Sequence, residues 1–137
     1  MLVRDGMTAS AVTVGPSHSL KDAAEAMAQR NVGAAIVVDP EQPGPGIITE
    51  RDILRSVAAG EDPSVERVAA HLTSTLVFAA PDWSLEEAAV AMVRGKFRHL
   101  IVIESGEVVG ILSVRDIVRV WSEDGAICEM PAPVRVA

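Results

Sequence analysis

The sequence predicts an α+β fold of two β-α-β-β-α repeats, packed through their sheets about a pseudo-twofold axis. Three observations predict it. Shifting the 137-residue chain by 65 lays "SLKDAAEAM" (19–27) on "SLEEAAVAM" (84–92) and Pro16 on Pro81. "AIVVD" (35–39) falls on "LIVIE" (100–104). The next loop is one residue shorter in the second copy, so the shift becomes 64 and "GIITERD" (46–52) meets "GILSVRD" (110–116). Self-similarity in a fixed order marks a tandem repeat. It divides the chain into copies at 7–60 and 72–122, a linker at 61–71 and a C-terminal tail at 123–137. One copy of about 55 residues buries its own sheet poorly, so two copies are expected to cover each other's sheets. A pseudo-twofold interface creates two equivalent clefts at its seam.

Each copy opens on a short apolar strand, "AVTV" (11–14) or "TLVFA" (75–79), ended by a proline. A helix follows. Ser19 stands three residues before Asp22 and Ser84 three before Glu87, the spacing of a capping box. Leu20, Ala23, Ala24 and Met27, like Leu85, Ala88, Ala89 and Met92, fall on one helical face. Their paired alanines allow close approach to a neighbour. "AAIVV" (34–38) and "HLIVI" (99–103) are continuous apolar runs, read as strands buried on both sides. After a turn, "DPEQPGPG" (39–46) or "ESGE" (104–107), the strand "GIIT" or "GILS" pairs back as a hairpin. A second helix, "ERDILRSVAAG" or "VRDIVRVW", completes the copy, with Gly60 as the stop of the first.

The composition narrows the function. Apolar residues make up 49% and charged residues 23%, which suits a packed core and not a disordered chain. Aromatics are only 3%, so Ala, Val, Ile, Leu and Met must build that core. A net charge of −7 argues against a general nucleic-acid or anionic-membrane surface, while leaving room for a local anion pocket. The lone Cys128 excludes a disulfide within the chain and fits a reducing cytoplasm. "MLVRDGMTAS" has no apolar segment of the signal-peptide kind. "VGAAIVV" (32–38) is far too short to span a bilayer. A soluble, cytoplasmic protein is expected.

The repeated Gly-aliphatic-aliphatic-Thr/Ser-x-x-Asp motif admits two readings. Thr49 with Asp52, and Ser113 with Asp116, are capping boxes: the hydroxyl satisfies a backbone N–H and the acid suits the helix dipole. The same residues also describe a nucleotide site. A helix N-terminus at a sheet edge offers N–H donors to a phosphate. The hydroxyl adds a donor, the aspartate can accept both hydroxyls of a ribose, and Arg51 with Arg55, or Arg115 with Arg119, supplies positive charge.

On these residues the chain resembles a tandem pair of CBS domains, the family named after cystathionine β-synthase, in its stand-alone form. The resemblance covers residues 7–122. It implies an adenosine-based ligand, of the AMP, ADP, ATP or S-adenosylmethionine type, held in the seam clefts. It places ribose binding at Asp52 and Asp116 and the phosphate-side hydroxyl at Thr49 and Ser113. The base would lie near Thr13, Ala35, Ile47, Phe78, Leu100 and Ile111. It further implies a homodimer, formed side by side through helices, for which Ala23, Ala24, Ala88, Ala89 and the adjacent aliphatics supply close-packing faces and Trp121 adds apolar area. Two features depart from the family pattern. Ile36 and Ile101 stand where many members have proline, and Phe78 replaces Thr13 in the second copy.

Catalysis finds little support. His18, His71 and His99 are scattered, and Cys128 lies in the Pro-rich "CEMPAPVRVA". A histidine and one cysteine without ligand spacing predict no metal site, and no cofactor is required. Glu86–Glu87 and Glu123–Asp124 read as solvated helix faces. Two function classes remain: a regulatory module that senses an adenosine ligand and signals to an effector protein, or a structural, protein-interaction module whose clefts Ile36, Ile101 and Phe78 close. The two motifs also differ in charge. Glu50 of the first is Val114 in the second, while Asn31, Gly33 and Ala34 become Lys96, Arg98 and His99. An anion prefers the positive surroundings, so the Ser113/Asp116 motif is expected to bind phosphate more strongly.

Overall fold

The computed structural model describes residues 1–73 and 78–123. Part of the expected strand at 75–79, Asp124, and most of the tail with Cys128 lie outside the described residues. The chain divides into two compact units: Thr8–Phe78, and Met1–Met7 together with the chain from Ala79 onward.

In the Thr8–Phe78 unit, β1 (Thr13–Val14) leads to α2 (Leu20–Arg30), β2 (Ala34–Val37), β3 (Gly46–Thr49) and α3 (Glu50–Ala58). β1 lies parallel and β3 antiparallel to the central β2, with Thr13 beside Ile36 and Ile36 beside Ile47. All four residues of β2 are buried, as a strand covered on both faces requires. Ser19 caps α2 as its spacing predicts: Asp22 N–H donates to Ser19 Oγ at 3.0 Å and Ser19 N–H to Asp22 Oδ2 at 3.1 Å. Those bonds hold the Asp22 carboxyl below the usual carboxylate range. Asn31 ends the helix at φ 54°, a left-handed cap that asparagine tolerates. Leu20, Ala23 and Met27 then pack with Val14, Ala35, Val37 and Ile48.

The other unit begins with a short helix, α1 (Val3–Gly6), and continues with β4 (Phe78–Ala79, its first residue at the boundary), α4 (Leu85–Gly95), β5 (His99–Glu104), β6 (Glu107–Ser113) and α5 (Val114–Glu123). Its sheet has the order β4-β5-β6. Ser84 accepts from Glu87 N–H at 3.0 Å, and Lys96 repeats the left-handed cap at φ 58°. The β5–β6 hairpin turns at Ser105 and Gly106, both at positive φ, the conformation a two-residue loop needs to match strand twist. Leu85, Ala88, Met92, Leu100, Val102, Leu112, Ile117 and Val120 form the core.

The repeats exchange their leading segments. Val3, fully buried, sits in the core of the second repeat, and Val68, equally buried, sits in the core of the first. The backbone bonds match at a shift of 65: Val3 N–H donates to Trp83 O at 2.8 Å as Val68 N–H donates to His18 O at 2.8 Å. Arg4 to Pro81 is answered by Ala69 to Pro16, and Leu85 to Met1 by Leu20 to Glu66. Residues 61–71, read as linker, thus contain a 3-10 turn (Val68–Ala70) built into a core. Two glycines permit the fit. A Cβ on Gly6 would stand 3.1 Å from Val120 Cγ2, and one on Gly46 only 2.9 Å from Leu72 Cδ1. Among the described residues no helix is long and apolar enough to cross a membrane.

Candidate functional site

β3 runs directly into α3 with Thr49 at the junction, and β6 runs into α5 at Ser113. The cap is built in both repeats. Thr49 N–H donates to Asp52 Oδ2 at 2.9 Å, Asp52 N–H donates to Thr49 Oγ1 at 3.3 Å, and the Thr49 hydroxyl donates to Oδ2 at 2.9 Å. Ser113 N–H donates to Asp116 Oδ2 at 2.8 Å, and Asp116 N–H to Ser113 Oγ at 3.0 Å. Each aspartate therefore spends one oxygen on the helix start. Oδ1 of Asp52 has no protein hydrogen bond among the described residues. Oδ1 of Asp116 stands 3.7 Å from the Arg119 guanidinium. Both carboxylates are half-buried.

The helix starts are tied to the strand entries as well. Glu50 N–H donates to Gly33 O at 3.0 Å, and Val114 N–H to Arg98 O at 2.9 Å. With the Asp52 and Asp116 N–H groups also used, the N–H groups of Arg51 and Arg115 are the first-turn donors not spent in this way. The arginines divide by task. Arg51, Arg98 and Arg115 are exposed beside the motifs. Arg119 donates to Gly6 O at 3.1 Å and pairs with Asp116 and Glu123, so it braces α1 against α5.

Strand register places the remaining residues. Directly opposed residues of an antiparallel pair share a face. Ala34 lies opposite Thr49 and Ile36 opposite Ile47; in the other unit His99 lies opposite Ser113 and Ile101 opposite Ile111. Thr13 flanks Ile36 on the far side, exposed, and Phe78 takes the equivalent place on β4, also exposed. Two residues assigned to the base by resemblance do not share that face. Ala35 and Leu100 are buried in the helix-side cores, because side chains alternate along a strand. Ala34 with Ile36, and His99 with Ile101, hold the motif face instead.

The charge difference between the motifs has a structural basis. The Glu50 carboxylate folds over Gly33, 3.2 Å from where a Cβ would stand. In the other unit Val114 meets Arg98, and His99 sits across from Ser113. One further carboxyl is displaced in pKa. Its hydrogen bond with His71, and then that with Glu61, holds Glu66 below the usual range.

Comparison with known proteins agrees with this geometry. A model of the CBS domain matches residues 3–59 and again 65–123, so each match includes the exchanged leading segment. The chain is 36% identical over 116 residues to the CBS domain-containing protein YhcV of Bacillus subtilis, covering 84% of this chain and 81% of YhcV. It spans only 45% and 20% of two other curated relatives. Among solved structures, the CBS-domain protein ATU1752 of Agrobacterium tumefaciens superposes with a TM-score of 0.80 at 31% identity, over 88% of this chain and 98% of that one. The CBS domain pair of MJ0100, solved with 5-methylthioadenosine and S-adenosyl-L-methionine, superposes at 0.79 with 25% identity, over 90% of this chain and 98% of the pair. With the strand-to-helix motif, the hairpin and the exchanged segment present in both halves, the chain belongs to the CBS domain family as a pair of these regulatory domains.

Proposed function

We propose that the pair senses an adenosine-based ligand, a nucleotide or an S-adenosylmethionine-type sulfonium, without turning it over, and passes the signal to an effector protein. The observation that carries this reading is the division of labour within each aspartate. One oxygen completes the cap, while Oδ1 makes no protein hydrogen bond among the described residues in Asp52 and faces the Arg119 guanidinium at 3.7 Å in Asp116. A carboxylate oxygen so placed accepts ribose hydroxyls, and the adjacent cation and helix start suit a phosphate. The ligands present in the MJ0100 pair belong to the same chemical class. A capping aspartate alone would show the same Oδ2 bonds, which keeps the structural, protein-interaction reading as the alternative. A ligand panel separates the two. A ligand at a hundredfold excess over its Kd adds about 2.7 kcal/mol, which raises Tm by roughly 5–15 °C for a protein of this size. AMP, ADP, ATP and S-adenosylmethionine are the compounds to screen, with the bound compound recovered chemically intact. No rise with any of them at millimolar concentration gives the interaction reading.

We also propose a homodimer, on a surface that keeps Trp121 from the sequence reading and leaves out the buried alanines. Ala23 and Ala88 are fully buried within their own units and cannot form a subunit face. Exposed apolar residues stand at matching positions on the second helix of each repeat: Leu54 with Val118, and Val57 with the half-buried Trp121. Sedimentation is expected to give twice the 14.4 kDa chain mass, and Leu54→Glu with Val118→Glu to return it to one. A wild-type mass of one chain at micromolar concentration removes this assignment.

A further inference from the structure

A second cluster of chemically active side chains lies at the far end of α3, away from Thr49 and Asp52. The helix ends in a Schellman motif: Gly60 takes φ 82°, its N–H donates to Val57 O at 3.0 Å, and Glu61 N–H donates to Ser56 O at 3.1 Å. Glu61 is thereby fixed against the helix end, where the Ser56 hydroxyl donates to its Oε1 at 3.0 Å. Ser56 is only 2% exposed. At the matching position the second repeat has Val120, an apolar core residue. The first repeat thus keeps a buried hydroxyl where a valine serves for packing, and aims it at a carboxylate. Asp62 then turns the chain, accepting Glu66 N–H at 2.9 Å, and Leu20 N–H donates to Glu66 O at 2.9 Å. His71 follows the 3-10 turn, its N–H donating to Val68 O at 3.0 Å.

These backbone bonds bring three donors together. His71 Nε2 lies 2.8 Å from Glu66 Oε1, and one ligand atom each from Glu61, Glu66 and His71 lie within 4.8 Å of one another. Among the described residues neither glutamate is paired with a lysine or arginine. Two carboxylates this close repel unless a proton or a cation lies between them.

We propose that Glu61, Glu66 and His71 bind a divalent transition-metal ion of the zinc class, through two carboxylate oxygens and one imidazole nitrogen, with the buried Ser56 hydroxyl orienting Glu61. An imidazole with carboxylates suits zinc and its neighbours better than magnesium or calcium, which favour all-oxygen shells. Donors bound at ~2.0–2.1 Å on a tetrahedral ion stand roughly 3.3 Å apart, so small side-chain adjustments complete the site. Water takes the fourth position. A ligating carboxylate held by an outer hydrogen bond is the usual second layer of such a site. The ion would clamp the end of α3 to the segment that enters the core at Val68.

Titration with zinc chloride tests this, in a Cys128→Ser background so that the tail thiol takes no part. The expected result is one ion per chain with Kd on the order of micromolar or tighter, and a rise in Tm. Glu61→Gln keeps the acceptor for Ser56, and Glu61 is exposed, so that variant retains the fold. Both it and His71→Gln should weaken binding at least tenfold, and Ser56→Val by roughly 10–100-fold. Absence of saturable binding at one ion per chain, or unchanged affinity in either Glu61→Gln or His71→Gln, overturns the assignment.

Discussion

Leu85→Ala should lower the unfolding free energy by about 2–5 kcal/mol, the range for emptying a well-packed leucine site. Leu85 is 1% exposed and starts α4. Its side chain meets the point where Gly6 lies against Val120, and its N–H donates to Met1 O at 3.1 Å. Surrounding groups on α1, α4 and α5 are held by these backbone bonds and cannot easily collapse into the void. A loss of that size is a large share of the ~5–15 kcal/mol typical of a domain. Val93→Ala on the same helix, 78% exposed, should change stability by less than ~0.5 kcal/mol. Urea unfolding of both variants checks the pair. A midpoint for Leu85→Ala within error of wild type would mean that this core does not govern unfolding.

Asp116→Asn should weaken adenine-nucleotide binding by roughly ten- to a hundredfold, and Asp52→Asn by less. Asparagine is the informative substitution, because the structure gives each aspartate two tasks. Alanine would also remove the capping acceptor, costing about 1 kcal/mol of helix stability. Asparagine retains an acceptor for the Ser113 N–H and puts an NH2 group in place of the other oxygen, withdrawing the charge and the ribose-facing acceptor together. A hydrogen bond to a charged group is worth about 1.5–3 kcal/mol, which sets the expected factor. The ranking follows from the surroundings. Near Ser113 stand His99, Arg98 and the neutral Val114; near Thr49 stand Ala34, Gly33 and the Glu50 carboxylate. Calorimetric titration of both variants decides it. Equal losses, or a greater loss at Asp52, would show that local charge does not set the order of the two sites.

Much of the fold was legible because the sequence spells it twice. A Ser-x-x-Asp box or an apolar run seen once is weak evidence; seen again at the same offset it becomes an element. The capping motifs at Ser19, Thr49 and Ser113, the Ser105–Gly106 turn and the stop at Gly60 all follow from local chemistry, and local chemistry is what a sequence displays. The exchange of leading segments was less visible. Val3 and Val68, with Met7 and Leu72, do repeat at 65, yet the matching stretch is short and the two copies share no Gly or Pro that would mark it. That the Ala35 and Leu100 side chains face the helix-side cores was hidden for a different reason. In an entirely apolar strand the alternation of faces leaves no trace in hydrophobicity, so an error of one position goes unnoticed. Glu61, Glu66 and His71 could not be assembled from spacing at all. A helix stop, an Asp turn and a 3-10 turn, acting together, bring them to one point.

The exchanged segments also set an order of assembly. Thr8–Phe78 is a continuous stretch and finds every member of its core within itself. The other unit cannot close until Met1–Met7 meets residues made much later: the bond from Arg119 to Gly6 spans 113 positions. At ~5–20 residues per second, Val3 waits roughly 4–16 s on the ribosome before Leu85 exists. Closing so long a loop adds an entropic cost that grows with the logarithm of its length. The helix-side core of the first repeat has all its members before the second repeat is made. The second must bring Met1–Met7 back to residues made much later.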